Sequence, residues 1–426
     1  MFDTPSTVLL GVTLAVILAL PSDEQVRYPG HKVVTVVPEY EEQVKVILEQ
    51  RDEFKVDLWN EPKRLGVPVL IRLIPDVAHK VESRLANANL TCLVVYENLQ
   101  SAIEFEHAQN KRQYRQYGNK ISGSGLNLGR YHNLEEIYDY IQNIVAAYPN
   151  ISSVMNIGKT YEDRSILGIK ISGGTSSEKP VIFLEFGIHA REWISPATGI
   201  WIINELITTY STNSNIKELV DVYEWQIIPS ANPDGYSYTW TNDRMWRKTR
   251  SRIVSNWCRG VDPNRNFDVD FCGEGTSKDP CSEIYCGEYA FSEKETQAIR
   301  DALLAIKSQI KAFFSFHSYS QLWMIPYGYT TAKVPNYNNL MRISQAAVDA
   351  IYRVHGTSYE YGPITTGLYK VSGSSLDWSY DKADVKIGFA LELRDTGRYG
   401  FLLPKEQIIP TAEETWAGIQ ASIRAI

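Results

Sequence analysis

This sequence lacks the marks of several common protein classes. Lys and Arg number 43 against 50 Asp and Glu, a net charge of −7, so there is no basic excess to bind nucleic acid. No internal repeat or low-complexity tract is present, and histidine is scarce at seven residues. We therefore expect a globular protein with no nucleic-acid partner, and 426 residues allow two or three domains with a large buried core.

Long hydrophobic runs are also lacking, with one short exception at the N terminus. The apolar run from Val8 to Leu20 is too short to span a bilayer comfortably. It fits the apolar core of a signal peptide, although Asp3 stands where a positive charge is usual. We predict a signal peptide over residues 1–22, a secreted, extracellular protein and no membrane span. An N-terminal anchor is the alternative.

Four of the five cysteines crowd into one segment that contains no histidine and no C-x-x-C motif. This composition argues against a zinc cluster, and four cysteines allow three disulfide pairings. In an oxidising compartment we expect two disulfides that staple one loop region. The four are Cys258, Cys272, Cys281 and Cys286, whereas Cys92 stands alone.

Residues 31–112 form a small α+β unit. Alternating and helical apolar patterns predict the order β-α-β-β-α-β, followed by one further helix over residues 99–112. This order is that of a ferredoxin-like sandwich.

Residues 111–129 are polar, rich in glycine and serine, and unpatterned, which predicts a linker. Arg112, Arg115 and Lys120 make it a suitable site for a trypsin-like protease. A small domain before a basic, exposed linker in a secreted chain suggests a zymogen. An ordinary interdomain linker is the alternative.

From Tyr131 onward, strand and helix patterns alternate. Apolar strands such as VIFLEF, KAFFSFHSYSQ and GFALELRD are separated by amphipathic stretches. This alternation predicts an α/β fold, a mixed β-sheet flanked by helices, in which active sites gather outside the strand ends.

The stretch FGIHAREWIS, residues 186–195, places His189, Arg191 and Glu192 directly after a buried strand. If a helix begins here, His189 and Glu192 share one face. Imidazole and carboxylate are donors that zinc accepts, and a catalytic zinc needs three protein ligands and an open position. A helix cap with a chance histidine is the alternative.

A third ligand should come from another strand end. His317 is the histidine that follows an apolar strand, in KAFFSFHSYSQ. Two such strand-end positions together predict a zinc site made by His189, Glu192 and His317. A satisfied core histidine is the alternative for His317.

A zinc hydrolase also needs a general base and a cation for the developing oxyanion. Glu392 lies inside the apolar strand GFALELRD, where an ionised carboxylate is costly without a partner or a role. A buried ion pair with Arg394 is the alternative. The cation could come from NDRMWRKTRSR, which would otherwise be a solvated basic loop. Asn264-Arg265-Asn266 is another polar cluster in a turn.

These stretches together resemble the zinc metallocarboxypeptidases of the pancreatic A/B type, in their procarboxypeptidase A-like proenzyme form. The resemblance covers the chain from about Tyr131 to the C terminus, and the leading domain matches the family's propeptide in position and element order. The matching motifs are GIHAREWISPATG, NPDGYSYTWTNDRMWRKTRS, GVDPNRNFD, FHSYSQ followed by PYGY, SGSSLDWSYD and LELRDTGRYGFLLP.

The resemblance implies a role for each candidate residue. One zinc ion per chain would be bound by His189, Glu192 and His317. Glu392 would activate the zinc-bound water, and Arg247 would hold the oxyanion. Asn264 and Arg265 would grip the substrate's C-terminal carboxylate, and Tyr369 would close over it. Arg191, Ser318, Tyr319 and Leu376 complete the implied substrate-binding set. Cys258 and Cys281 match the family's usual disulfide, and Cys272 and Cys286 would form an added one.

The implied specificity depends on the pocket. Relatives that prefer Lys or Arg carry an acid at its floor, where this chain has Leu376, with Gly328 and Ala390 leaving the pocket open. Burying a Lys there without an anion is unfavourable, which favours A-type preference for aliphatic and aromatic residues. Asp377 facing the pocket is the alternative. Relatives of this type commonly carry histidine at the position of Trp240, and the sequence offers no explanation for the tryptophan.

The resemblance also implies the organisation and the partners. We expect a signal peptide at 1–22, an activation propeptide at 23–115, an activation linker at 111–130 and a catalytic domain at 121–426. Partners would be the C termini of peptides and proteins, an activating trypsin-like protease and proteinaceous carboxypeptidase inhibitors. The enzyme would be a monomer that serves in digestion.

Rival interpretations are an inactive binding protein, a B-type enzyme and a regulatory carboxypeptidase that trims hormones. We still expect a solvated basic loop for the other cations of that run, Arg244, Lys248, Arg250 and Arg252.

Overall fold

The structure is a computed structural model that describes residues 25–62, 65–117, 125–176, 178–252, 257–367 and 369–426. The predicted signal peptide at 1–22 and the candidate cleavage residue Lys120 lie outside the described residues. No helix in these ranges is both long and apolar enough to cross a membrane.

The N-terminal unit is the predicted ferredoxin-like sandwich. Its sheet is antiparallel with strand order β2-β3-β1-β4. Val34 and Ile71 face the two helices, while the alternate residues Val33 and Leu70 face the rest of the molecule, as a strand period of two requires. Its elements are β1 Lys32–Val36, α1 Glu41–Phe54, β2 Asp57–Leu58, β3 Val69–Leu73, α2 Pro75–Asn87 and β4 Leu93–Tyr96.

The helix α3, Leu99–Tyr117, extends further than the sequence predicted. Its backbone continues through Arg112 and Arg115, so the first part of the predicted linker is helical rather than extended. Straight-chain residues such as Lys, Arg and Gln are good helix formers, which explains how a polar stretch without apolar periodicity continues a helix.

The large unit is built on an eight-stranded mixed sheet of order β11-β10-β12-β9-β7-β8-β6-β5. Its elements are α4 Leu134–Ala147, β5 Ser152–Lys159, β6 Ser165–Ile171, β7 Val181–Phe186, α5 Ile194–Thr208, α6 Ser214–Val222, β8 Glu224–Ile228, α7 Pro233–Thr241, α8 Lys294–Ala305, β9 Ile310–Ser318, β10 Leu322–Ile325, α9 Tyr337–His355, β11 Glu360–Pro363, α10 Ile364–Gly367, α11 Ser375–Asp381, β12 Gly388–Leu393 and α12 Ile408–Arg424. Short 3₁₀ turns lie at Pro263–Arg265 and Lys405–Gln407.

The central strands β8, β7, β9 and β12 are parallel, so their carboxyl ends meet at one edge of the sheet. All six residues of β7 are buried, because helices cover both faces. Strand pairing sets His317 beside Glu392, and Ser315 beside both Glu185 and Ala390. The register therefore lines up side chains from three distant segments at the same edge.

Candidate active site

Three predicted metal ligands come together at this edge. His189 Nδ1 lies 2.8 Å from Glu192 Oε1 and 3.1 Å from His317 Nδ1, and His317 Nδ1 lies 3.5 Å from Glu192 Oε2. All three residues are buried. The expected helix start was wrong, because His189 and Glu192 lie in the turn before α5, which begins at Ile194. The turn rather than helical spacing brings them together.

This donor set fits a divalent cation. The two imidazole nitrogens face each other and the carboxylate at distances where a shared cation would satisfy all three groups. Burial, with Arg247 adding to it, lowers the pKa of His189 and so favours the neutral imidazole that binds metals. Burial alone would raise the pKa of Glu192, but His189 and His317 hold it below its usual range.

Asp262, which was not among the predicted site residues, connects this group to the rest of the site. Oδ1 accepts from His189 Nε2 at 3.0 Å and from the Asn264 backbone N–H at 2.9 Å, and Oδ2 accepts from Arg247 Nε at 3.1 Å. Burial acts to raise the pKa of Asp262, but Arg247, Arg265 and His189 hold it well below its usual range. Its signal in the sequence was its place in VDPNRNFD, directly before a proline-led turn.

Glu392 projects from β12 into the same cleft. Burial raises its pKa to about 8, while His317 opposes the shift and Glu192 adds to it. A bound cation would favour the ionised form. The alternative ion pair with Arg394 is wrong, because the Arg394 guanidinium hydrogen-bonds instead to Glu414, with Nε to Oε1 at 2.8 Å.

Arg265 also lines the cleft, buried and held by protein acceptors. Nε donates to the Gly275 carbonyl at 2.9 Å, and the two terminal nitrogens donate to the Asn264 carbonyl at 3.0 Å and the Tyr369 hydroxyl at 2.9 Å. Asn264 accepts from the Ser375 backbone N–H at 2.9 Å and approaches His317 Nε2 at 3.5 Å. The structure thus brings Arg265, Asn264 and Tyr369 to one place.

The cleft has a volume of about 320 Å³ and one apolar end. Asp377 does not line it, because its Oδ2 accepts from the backbone N–H groups of Gly328 and Tyr329 at 2.8 and 3.1 Å. Gly328 also lies outside the lining. The apolar end is formed by Leu322, Met324, Ile364, Val371, Leu376 and Ala390.

The N-terminal unit covers the cleft mouth and contacts two predicted substrate-binding residues. Arg191 Nη1 lies 3.2 Å from Asp57 Oδ2, and the Tyr319 hydroxyl donates to Asn60 Oδ1 at 3.1 Å. The backbone N–H of Ser318 donates to Glu192 Oε2 at 3.1 Å. The N-terminal unit also supplies lining residues to the cleft itself, namely Trp59, Asn60, Glu61, Gly66, Val67 and Pro68.

Helix α3 makes a second contact, which overturns the expectation of a solvated loop at Arg244. Arg244 is buried, and its Nε and one terminal nitrogen donate to the two Glu106 oxygens at 2.6 and 3.1 Å. Its guanidinium lies 3.7 Å from the ring centroid of Trp193. The Trp240 ring stacks on Trp193, with ring centroids 4.0 Å apart, which accounts for an aromatic residue at position 240.

Two more residues of that basic run are also buried. Lys248 donates to the Pro280 carbonyl at 2.7 Å, and the Arg250 guanidinium lies 3.5 Å from the Tyr238 ring centroid. Arg252 is exposed, as expected. Buried cations on carbonyls and aromatic rings show that charge density in a sequence does not by itself predict exposure.

Both expected disulfides are present. Cys258 pairs with Cys281 and Cys272 with Cys286, with Cα–Cα distances of 5.1 and 5.4 Å. Cys92 is a free, half-buried thiol.

Comparison with known proteins decides the family. The sequence model described as zinc carboxypeptidase matches residues 137–418. This chain belongs to the zinc carboxypeptidase family. The model of the carboxypeptidase activation peptide matches residues 34–106, which identifies the N-terminal unit. The family and the His189, Glu192 and His317 donors together make zinc the metal of this carboxypeptidase.

Individual relatives agree with this assignment. The carboxypeptidase is 41% identical over 401 residues to carboxypeptidase A2 of Mus musculus, covering 93% of this chain and 94% of that one. It superposes on the carboxypeptidase A of Helicoverpa armigera with a TM-score of 0.85 at 29% identity, covering 93% and 98%. Bovine thrombin-activatable fibrinolysis inhibitor, solved with a tick carboxypeptidase inhibitor, gives a TM-score of 0.66 at 40% identity, covering 70% and 98%.

Proposed function

We propose that this carboxypeptidase is a secreted zymogen whose mature form removes C-terminal aliphatic and aromatic residues from peptides and proteins. The observation that carries the proposal is the cleft itself, where the zinc donors, Arg265 with Asn264 and an uncharged apolar end lie side by side. A pocket that accepts many apolar side chains suits digestive protein breakdown.

The chemistry is divided among named residues. His189, Glu192 and His317 would hold the zinc ion, which would supply a Lewis acid for the scissile carbonyl and lower the pKa of a water molecule. We assign Glu392 as the general base that takes a proton from the attacking water and returns it to the leaving amine. Arg247, oriented by Asp262, would stabilise the negative charge that develops on the carbonyl oxygen.

Recognition of the free C terminus would make the enzyme an exopeptidase. We propose that the substrate carboxylate replaces the Tyr369 hydroxyl on Arg265 and is shared with Asn264. Tyr369 would then close over the bound residue. An internal peptide bond offers no carboxylate, so Arg265 would stay without its ionic partner, and a loss of about 1.4 kcal/mol is already tenfold in rate.

The residues upstream of the cleaved bond would take places now held by the activation peptide. Arg191 and Tyr319 contact Asp57 and Asn60, so release of the activation peptide frees both. Ser318, beside Glu192, completes this side of the cleft. We propose that occupation of the cleft by the activation peptide keeps the zymogen inactive.

Activation requires a cut between the two domains. We propose that a trypsin-like protease cleaves at Arg112, Arg115 or Lys120, within the linker at 111–130, and separates the activation peptide at 23–115 from the catalytic domain at 121–426. The signal peptide at 1–22 would direct secretion. We also propose a monomer, and proteinaceous inhibitors as partners by analogy with the tick-inhibitor complex of the bovine relative.

Exchange of Leu376 tests the specificity. The protein after limited trypsin digestion should release Phe from a blocked dipeptide much faster than Lys from a matched one. Leu376→Asp places an anion at the apolar end and should reverse this preference, whereas Leu376→Val should preserve it. Faster release of Lys by the unmodified enzyme would refute the A-type proposal.

A further inference from the structure

Glu185 is a buried carboxyl group without a role in the proposed reaction. It lies in β7, fully buried, four residues before His189. Strand pairing places it beside Ser315 of β9, and Ser315 lies two residues before His317 on the same face. A carboxyl group in the centre of a sheet is costly unless it accepts hydrogen bonds.

One serine hydroxyl bonds this carboxyl group, and a second lies across the strand pair from it. Oε2 accepts from Ser375 Oγ at 2.9 Å, and the buried Oε1 has no hydrogen-bond partner among the described residues. Burial raises the pKa of Glu185, while Ser315, His317 and Ser375 oppose that shift. Ser315 Oγ in turn lies 3.0 Å from His317 Nε2.

The nitrogen that His317 turns towards the metal site decides the direction of these hydrogen bonds. His317 presents Nδ1 to Glu192 and His189, so metal binding through Nδ1 requires the ring proton to be on Nε2. Nε2–H then donates to Ser315 Oγ, and the single hydroxyl proton of Ser315 must find another acceptor. The Glu185 carboxylate offers that acceptor, because strand pairing places it beside Ser315 and its buried Oε1 has no hydrogen-bond partner among the described residues.

We propose that Glu185 is a positioning residue that, through Ser315, holds His317 in the tautomer that binds zinc. The other histidine donor, His189, is held by a carboxylate without an intervening hydroxyl, because Asp262 contacts its Nε2 directly. The proposal rests on the zinc site of the proposed function. It adds Glu185 as a second supporting carboxylate, which acts on a zinc donor through the Ser315 hydroxyl.

Zinc affinity of the full-length zymogen, measured by competition with a chromogenic chelator, tests this role. In Glu185→Gln the amide can donate to Ser315 Oγ, which turns the hydroxyl proton towards His317 Nε2 and opposes binding through Nδ1. We expect affinity to fall about 10- to 100-fold. A Ser315→Ala background lacks the hydroxyl that connects Glu185 to His317, so adding Glu185→Gln there should change zinc affinity much less.

Ser375→Ala is the matched control, because it removes the other hydroxyl on Glu185 and leaves the path to His317 intact. It should change zinc affinity far less than Glu185→Gln. An equal loss for Glu185→Gln with and without Ser315, or no loss, would overturn the proposal. If Glu185→Gln does not fold, unchanged zinc affinity of Ser315→Ala alone would overturn it. A wild-type zymogen that binds no zinc would refute the proposed function itself.

Discussion

At the scale of single residues, Asp262 joins parts of the cleft that have different tasks. One carboxylate oxygen holds His189 and the backbone of Asn264, and the other holds Arg247. A movement of this side chain therefore displaces a zinc donor and the proposed oxyanion cation together. Networks of this kind are strongly non-additive, because every member depends on the same acceptor.

Asp262→Asn is expected to weaken two functions at once. The neutral amide cannot accept through both ends, so His189 and Arg247 lose part of their support, and zinc affinity should fall about 10- to 100-fold. Even with saturating zinc, kcat should stay below that of the wild type because Arg247 is no longer held. Chelator competition and steady-state kinetics measure the two effects, and full recovery of kcat by added zinc would contradict the second.

The sequence predicted the residues of the site better than the contacts among them. His189, Glu192, His317 and Glu392 carry local signals, since each is a polar side chain at an apolar strand end. Asp262 lacks such a signal, because its importance comes from a partner 73 positions away. Glu185 lies in an apolar strand as Glu392 does, but its cross-strand neighbour Ser315 is distant in the sequence. Such pairing depends on strand register and turn geometry, which a single sequence does not specify.

At the scale of elements, α3 makes the second contact of the N-terminal unit with the large unit. Glu106 on this helix binds Arg244, and two other N–H groups of Arg244 donate to the carbonyls of Arg191 and Phe401 at 2.9 and 2.7 Å. A buried guanidinium that keeps its anion is stable, and one that loses its anion is not. The helix should therefore keep the activation peptide bound after the linker is cut.

Glu106→Gln is expected to speed the appearance of activity after cleavage. Hydrogen bonds to a charged partner contribute about 1.5–3 kcal/mol, so weakening this pair should raise dissociation of the cut activation peptide about tenfold or more. Activity is followed against the extent of cleavage on a gel. Glu104→Gln, an exposed position on the same helix, is the control and should behave like the wild type. Equal lag times for the two variants would contradict the anchoring role.

Element prediction succeeded where one pattern extends over many residues. The buried strands β7, β9 and β12 and the amphipathic α4 and α9 were all anticipated. The strands β5, β6, β10 and β11 were not. The strands β10 and β11 have only four residues each, and β5 has exposed residues, so their period-two signal is weak. The extension of α3 to Tyr117 was missed because it has helix-forming residues without apolar periodicity.

At the scale of the whole molecule, the two units share an interface built from charged as well as apolar contacts. Trp59 packs on Phe401, with ring centroids 5.2 Å apart, next to the ion pair of Asp57 with Arg191. Burial acts to raise the pKa of Asp57, but Arg191 and Arg72 hold it below its usual range. Release of the activation peptide removes Arg191 from this carboxylate, so protonation and release are linked.

Acid is therefore expected to weaken the interface. Asp57 has a lower pKa in the bound state than in the released activation peptide, where Arg72 alone remains beside it. Its contribution is therefore complete above the pKa of the released state and is lost as the pH falls through the pKa of the bound state. Size-exclusion chromatography of the cleaved zymogen at neutral and acid pH measures the retained activation peptide. Asp57→Asn should retain less at neutral pH and show a flatter pH response. An identical acid response in both proteins would contradict the role of Asp57.

The central claim is a zinc carboxypeptidase that its own activation peptide keeps inactive. The most direct test measures release of Phe from a blocked dipeptide by the purified zymogen, before and after limited trypsin digestion, with and without a metal chelator. We expect activity only after digestion, its loss with chelator and its return with added zinc. Full activity before digestion would contradict the inhibitory contact of the activation peptide, and activity that survives complete removal of the metal would contradict the zinc site.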